Sequence, residues 1–160
     1  MPKLFILPIN IDWRKPESLK HYLKSMPIRC EELVEHSTVE IPFNDNLLYV
    51  WGTGNGAWNT SVFEKMQVGD DVLLVVEPKK ILRTRIRALF VDESLGRYLW
   101  GNAKYESDKY WPHIIILEEP EKTLVYKDGL KDLLGYKRNY RFQRPLIISE
   151  DKAEYILNLI

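Results

Sequence analysis

Four apolar runs, KLFILPI (3–9), LLYVW (47–51), DVLLVVE (71–77) and WPHIIILEE (111–119), constrain most strongly what this 160-residue chain can become. Each has the length of a strand and little polar alternation, and DVLLVVE is the near-continuous pattern of a central strand covered on both faces. Between them, ILRTRIRALFVD (81–92) alternates. Arg83, Arg85 and Arg87 share one face, and Leu82, Thr84, Ile86 and Ala88 share the other. TLVYK (123–127) is read as a further strand after the turn EPEK, and TVEIPF (38–43) as one strand in an otherwise loop-like acidic segment.

Helical spacing is sparser. Pro16 starts a predicted helix, PESLKHYLKSM, with Leu19, Tyr22, Leu23 and Met26 in register, and Pro27 ends it. AWNTSVFEKM (57–66) and GLKDLLG (129–135) predict short helices. Ser149 predicts the N-cap of a last helix lined by Ala153, Ile156, Leu157 and Ile160. Many strands and few helices make an α+β fold with a curled sheet.

The length suits one domain spanning 1–160. The chain stops on apolar Ile160 without a helix-ending signal, which suits the N-terminal part of a longer protein. No run is long enough to cross a bilayer, and MPKLFILPINIDW lacks the cleavage site of a signal peptide. One cysteine, Cys30, excludes an internal disulfide and a cysteine-rich zinc site. A cytoplasmic protein without membrane contact, metal or cofactor is expected.

Net charge is zero, which argues against a uniformly basic nucleic-acid coat. The charges are segregated, however. Residues 31–45 hold five acids and no Lys or Arg, KKILRTRIR (79–87) holds five bases, and KRNYRFQR (137–144) holds four. Such clusters suit a basic face for a polyanion, with Arg83, Arg85, Arg87, Lys137, Arg138, Arg141 and Arg144 on phosphates. They equally suit two solvated strand faces.

The segment YVWGTGNGAWN (49–59) poses the sharpest question. Strand, glycine turn, helix, strand and then acidic Glu77 is the layout of a dinucleotide-binding unit. The spacing Gly52-x-Gly54-x-Gly56 is not that fingerprint, and no Lys-Ser/Thr pair follows. The other reading puts Trp51 at the lip of a cavity, where glycines admit a ligand close to the backbone. Trp58 is read as a core residue.

The series FILPIN, VWGT, AWNTSVFEKMQVGDDVLLVV, IRALFVDE, LW and YWPHIIIL resembles the EVE and YTH branch of PUA-like domains, and among them the DNA-recognition domains of McrB-type, modification-dependent restriction systems. The likeness is one of element order spread over about two thirds of the chain, with QVGDDVLLV its sharpest piece. It implies a small, partly closed, twisted β-barrel flanked by helices that holds one modified base, N6-methyladenine foremost, in an aromatic cage. Carried over by position, Trp51 and Trp100 are cage walls, Asn10 reads the base edge, and Gly52 and Thr53 border the pocket. Trp111 or Tyr105 supplies a third wall. GTGNGAWN is richer in glycine than the family segment, and 101–110 has no counterpart there.

Nothing assembles a catalytic set. His21, His36 and His113 lack a nucleophile partner in sequence, Glu118-Glu119 adjoins a proline turn, Cys30 has no assigned base, and Asp70-Asp71 belongs to a turn before a strand. The expectation is therefore a non-catalytic reader of double-stranded DNA carrying a modified base, fused to or working with an NTPase or nuclease. A reader of N6-methyladenine in single-stranded RNA is the alternative, and a nucleotide-binding enzyme using Gly52–Gly56 a remote one.

Overall fold

The computed structural model of the chain describes residues 3–9, 28–54, 56–76, 80–100 and 111–160. Asn10, Tyr105, Glu77 and the helix predicted from Pro16 lie outside the described residues.

The described chain runs β1 (Leu4–Ile9), β2 (Ile28–Arg29), α1 (Cys30–His36), β3 (Leu47–Thr53), α2 (Ala57–Glu64), β4 (Asp71–Val76), β5 (Lys80–Val91), α3 (Glu93–Trp100), β6 (His113–Leu117), β7 (Glu121–Lys122), α4 (Lys127–Leu134), β8 (Leu146–Ile148) and α5 (Glu150–Leu159). The fold is α+β, as its sequence pattern predicts. The sheet order is β2-β3-β6-β5-β4-β1-β8, with β7 against β5. Only β1 and β4 are parallel among these pairs. The terminal strands β2 and β8 do not pair with one another among the described residues, so the sheet is open where the resemblance implies partial closure into a barrel.

Burial on both faces explains the apolar runs. Phe5, Leu7 and Ile9 of β1, Val72 and Leu74 of β4, and Ile115 and Leu117 of β6 enter one inner cluster with Trp51. The alternate residues, Leu4, Ile6, Leu73 and Val75, pack under α4 and α5. Leu48, Val50, Ile114 and Ile116 pack under α1 and α3. Period-2 alternation thus separates core from core rather than core from water.

β5 joins the two halves. Its first half pairs with β4, from Val76↔Lys80 to Asp71↔Arg85, and its second with β6, from Ile86↔Leu117 to Val91↔His113. The register shifts between Ile86 and Ala88, a bulge at Arg87 that bends the strand.

Several predicted elements differ. Residues 30–36 are helical, because Cys30 and Leu33 are buried while Glu31 and Glu32 occupy the helix's positive end. TVEIPF is irregular, held instead by side chains: Cys30 Sγ donates to Phe43 O at 3.2 Å, and Ser37 Oγ accepts the Val39 N–H at 3.1 Å. TLVYK is not a strand either. Thr123 Oγ1 donates to Ile81 O and accepts the Val125 N–H, a local competitor of ladder pairing, and Leu124 is 92% exposed. ESLGRYLW is a helix and LII a strand where neither was predicted.

Asp92 caps α3 and ties it to the loop before β3. Oδ1 accepts the Leu95 N–H at 3.0 Å; Oδ2 accepts the Thr38 N–H at 2.7 Å and the Ser37 hydroxyl at 2.8 Å. Burial pushes the Asp92 carboxyl up, but these donors outweigh it and hold it below the ordinary carboxylate value. Asp92→Ala removes the cap and leaves the buried Leu95 N–H without its acceptor, for a loss of about 2 kcal/mol by chemical denaturation. A variant as stable as the parent would deny the carboxylate this role.

Candidate nucleic-acid interface

Three tryptophans from three elements converge where β3 and β6 meet α3. Trp51, on β3, faces the inner cluster and is 5% exposed. Gly52 follows on the opposite face, and a Cβ there would lie 2.6 Å from Trp100 Cζ3 and 3.1 Å from His113 O. The missing side chain is what lets Trp100, the last residue of α3, lay its ring against β3. Trp111 precedes β6 and touches both clusters. The ring centroids are 6.1 Å apart for Trp51–Trp100, 5.2 Å for Trp51–Trp111 and 5.3 Å for Trp100–Trp111.

These rings do not stand as parallel plates. Trp51 and Trp100 meet edge-on at 76°, with Trp111 against both. A flat base sandwiched between two indoles needs on the order of 7 Å between them. Entry of a base therefore requires the rings to part, and Trp111 is the least buried of the three. Trp100 Nε1 is buried and has no hydrogen-bond partner among the described residues. A buried donor left so costs about 1–3 kcal/mol, and such groups are rare enough to call for an explanation.

Thr53 and His113 are cross-strand partners at the rim. His113 Nδ1 lies 2.9 Å from Gly54 O and 3.2 Å from Thr53 Oγ1, and its ring stacks on Phe63 at 4.5 Å. A carbonyl only accepts, so Nδ1 carries the proton and Nε2 is left as an acceptor. Burial lowers the His113 pKa below the usual 6.5, against the opposing pull of Gly54 O and Glu64. The unfolded chain then binds more protons below 6.5, so this contribution to stability is complete above that pH and is lost as pH falls. His113→Gln should flatten the decline of melting temperature between pH 7 and 5; an unchanged decline would assign it elsewhere.

Gly52, Gly54 and Gly56 do not form a phosphate cradle. The only positive-φ glycines among the described residues are Gly69 and Gly135. β3 and β4, the strands on either side of α2, are separated by β6 and β5, so among the described residues no parallel βαβ crossover presents α2 to a pyrophosphate. Gly52 and Gly54 make room for rings instead, Gly54 facing Asn59 and Trp111.

The basic residues are not equivalent. Arg83 and Arg85 both reach the buried Asp71 at 3.3 Å, and Arg83 also donates to Ile160 O. Arg87 pairs with Asp45 and covers Phe43. Arg138 pairs with Asp132 at 2.8 Å and Asp128 at 3.5 Å. Lys137 and Arg141 are exposed. Arg144 lies 3.9 Å over the ring of Trp58. Trp58 is 45% exposed rather than core. Its position four residues before buried Val62 is a core spacing, and no sequence signal sets it apart. Gly96, Asp92 and His113 also went without an assigned part at the site. Of these, only the Asp92-Glu-Ser-Leu95 run carries a helix-start signature.

An open curled sheet, helices on both outer faces and indoles gathered at one strand end define a class of α+β domain. Within it, the chain is similar to the N-terminal domain of Thermococcus gammatolerans McrB bound to m5C DNA, with a TM-score of 0.69 and 15% identity over 98% of this chain and 95% of that one. A crystal structure of a Pseudomonas putida protein aligns at TM-score 0.52 and 14% identity, over 98% of each chain. The resemblance to McrB-type recognition domains read from the sequence is thus present in the fold. No family model matches the chain, and no curated protein does. No helix among the described residues is long and apolar enough to cross a membrane.

Proposed function

We propose that this chain is a non-catalytic DNA-recognition module that takes one methylated base, flipped from the duplex, against Trp51, Trp100 and Trp111. In this reading it selects targets for a modification-dependent restriction assembly whose NTPase or nuclease resides elsewhere, in the cytoplasm. The observation that carries it is the convergence of three indoles, with a Trp100 N–H that is buried and has no partner among the described residues. The shared fold with a domain bound to m5C DNA supports DNA as the partner. The chemistry fits: the indole faces reward a flat, methyl-bearing ring, and the free N–H suits an acceptor on its edge. Extruding the base costs a few kcal/mol, met by stacking worth about 1–3 kcal/mol per aromatic contact and by phosphate contacts. The sequence resemblance favours N6-methyladenine, whereas the DNA of the structural neighbour favours 5-methylcytosine.

Anisotropy titrations against duplexes with adenine, N6-methyladenine, cytosine or 5-methylcytosine, and single-stranded RNA with and without N6-methyladenine, test this reading. Tighter binding to one methylated duplex, with a change in tryptophan emission as the rings part, is expected. Preference for methylated RNA would transfer the module to RNA. Equal binding of every probe would overturn the cage.

A further inference from the structure

We infer that Trp58 and Arg144 form a preset phosphate clamp beside the tryptophan cluster, gripping the backbone of the strand from which the base is extruded. The inference rests on the DNA-recognition reading above and adds to it the place where the duplex is held.

The two residues are locked by two contacts. The Arg144 guanidinium carbon lies 3.9 Å over the Trp58 ring, while Trp58 Nε1 donates to the carbonyl of the next residue, Pro145, at 2.7 Å. Both sides are anchored in the core. Trp58 sits on α2, whose Val62 is buried, and Arg144 precedes β8, where Leu146 pairs with Ile6. A guanidinium held over an aromatic face and exposed to solvent, as Arg144 is, can still take a phosphate in a forked contact. Holding that geometry in advance removes most of the side-chain ordering that binding would otherwise require.

Charge availability is compatible with this, though Lys137 and Arg141 share it. Arg83, Arg85, Arg87 and Arg138 are already engaged with carboxylates, whereas Arg144 has none in ion-pair reach among the described residues. Its position is also right. α2 begins directly after the glycine segment, and Asn59, next to Trp58, lies against Gly54, which in turn touches Trp111. The helix that carries Trp58 therefore starts at the glycine segment that borders the indole cluster. A phosphate of the strand that carries the flipped nucleotide is the ligand that this site suits, and such a contact carries no sequence information.

The experiment measures binding of methylated and unmethylated duplexes to the full chain over a range of salt. Arg144→Gln should weaken both about tenfold and reduce the log–log salt slope by about one. Trp58→Leu keeps every charge, so it should weaken both several-fold at nearly the parent slope. Lys122→Gln, on the exposed β7, should bind as the parent does. Thermal melts of each variant separate lost folding from lost contact. Arg144→Gln with parental affinity and slope would overturn the clamp, as would a loss confined to methylated duplex, which would move Arg144 into base reading. A parent indifferent to methylation would overturn the function above while leaving the clamp to be judged on unmethylated duplex. A parent that binds no duplex would overturn both.

Discussion

Gly96→Ala lowers the melting temperature by about 6–12 °C, whereas the same change at Gly129 leaves it unaltered or raises it. The contrast comes from what the new methyl meets. At Gly96 it lies 2.4 Å from Trp111 O, 2.9 Å from Trp111 C and 3.2 Å from Pro112 Cα. These are main-chain atoms, and Pro112 O is itself held by the Asp92 N–H at 2.9 Å. None can swivel aside. α3 must instead back away from the sheet, loosening Leu95, Leu99 and Trp100 together. We expect a loss near the top of the overpacking range, about 3 kcal/mol. At Gly129 of α4 the nearest atom is Val125 Cγ1 at 3.6 Å, ordinary contact, so alanine contributes its helix preference of about 1 kcal/mol. Circular-dichroism melts decide it. Equal melting of Gly96→Ala and the parent would show that α3 does not depend on this close approach.

Trp100→Ala is the second large effect, and it acts on stability and binding at once. The ring is 6% exposed and fills the seat made by Gly52. Removing it leaves a cavity costing about 3–5 kcal/mol, or roughly 6–20 °C in melting temperature. Trp51→Ala, at 5% exposure, should behave likewise. Alanine at either wall therefore cannot be a silent probe of binding. Trp100→Phe is sharper: it keeps an aromatic ring while deleting the unpartnered N–H. A folded Trp100→Phe should bind methylated duplex about tenfold more weakly, the worth of one hydrogen bond to the base. It should bind unmethylated duplex as the parent does. Parental affinity for the methylated duplex would show that the N–H does not face the base.

The strands were legible in the sequence because both of their faces are buried. DVLLVVE and HIIIL had the near-continuous apolar pattern of buried strands, and Trp51 could be placed on a strand, whereas Trp100 closes a helix that the sequence did not signal. What could not be seen depended on contacts made across long separations. ESLGRYLW has ordinary helical residues, and only the backbone of Trp111 and Pro112 lying on Gly96 explains why position 96 must be small. The arginine row was visible as alternation, but its neutralisation by Asp71 and Asp45 needed the pairing of β4 with β5 and the path of the loop before β3. TLVYK had strand composition and lost to a threonine hydroxyl. Trp58 carried a core spacing yet stands at the surface, because Pro145 O and Arg144 satisfy it there.

The bulge in β5 has a mechanical meaning. Among the described residues, every sheet hydrogen bond between the two halves runs through this one strand, and its register is interrupted at Arg87. The indole cluster belongs to the β3-β6 half, and Arg144 adjoins β8 in the other. Base and phosphate would thus be held by two leaves on a common spine, and the spacing between them is set by the bend of that spine. A duplex seated on both leaves would load the joint at Arg87, and the Asp45 carboxylate and Phe43 ring that hold this side chain become the latch.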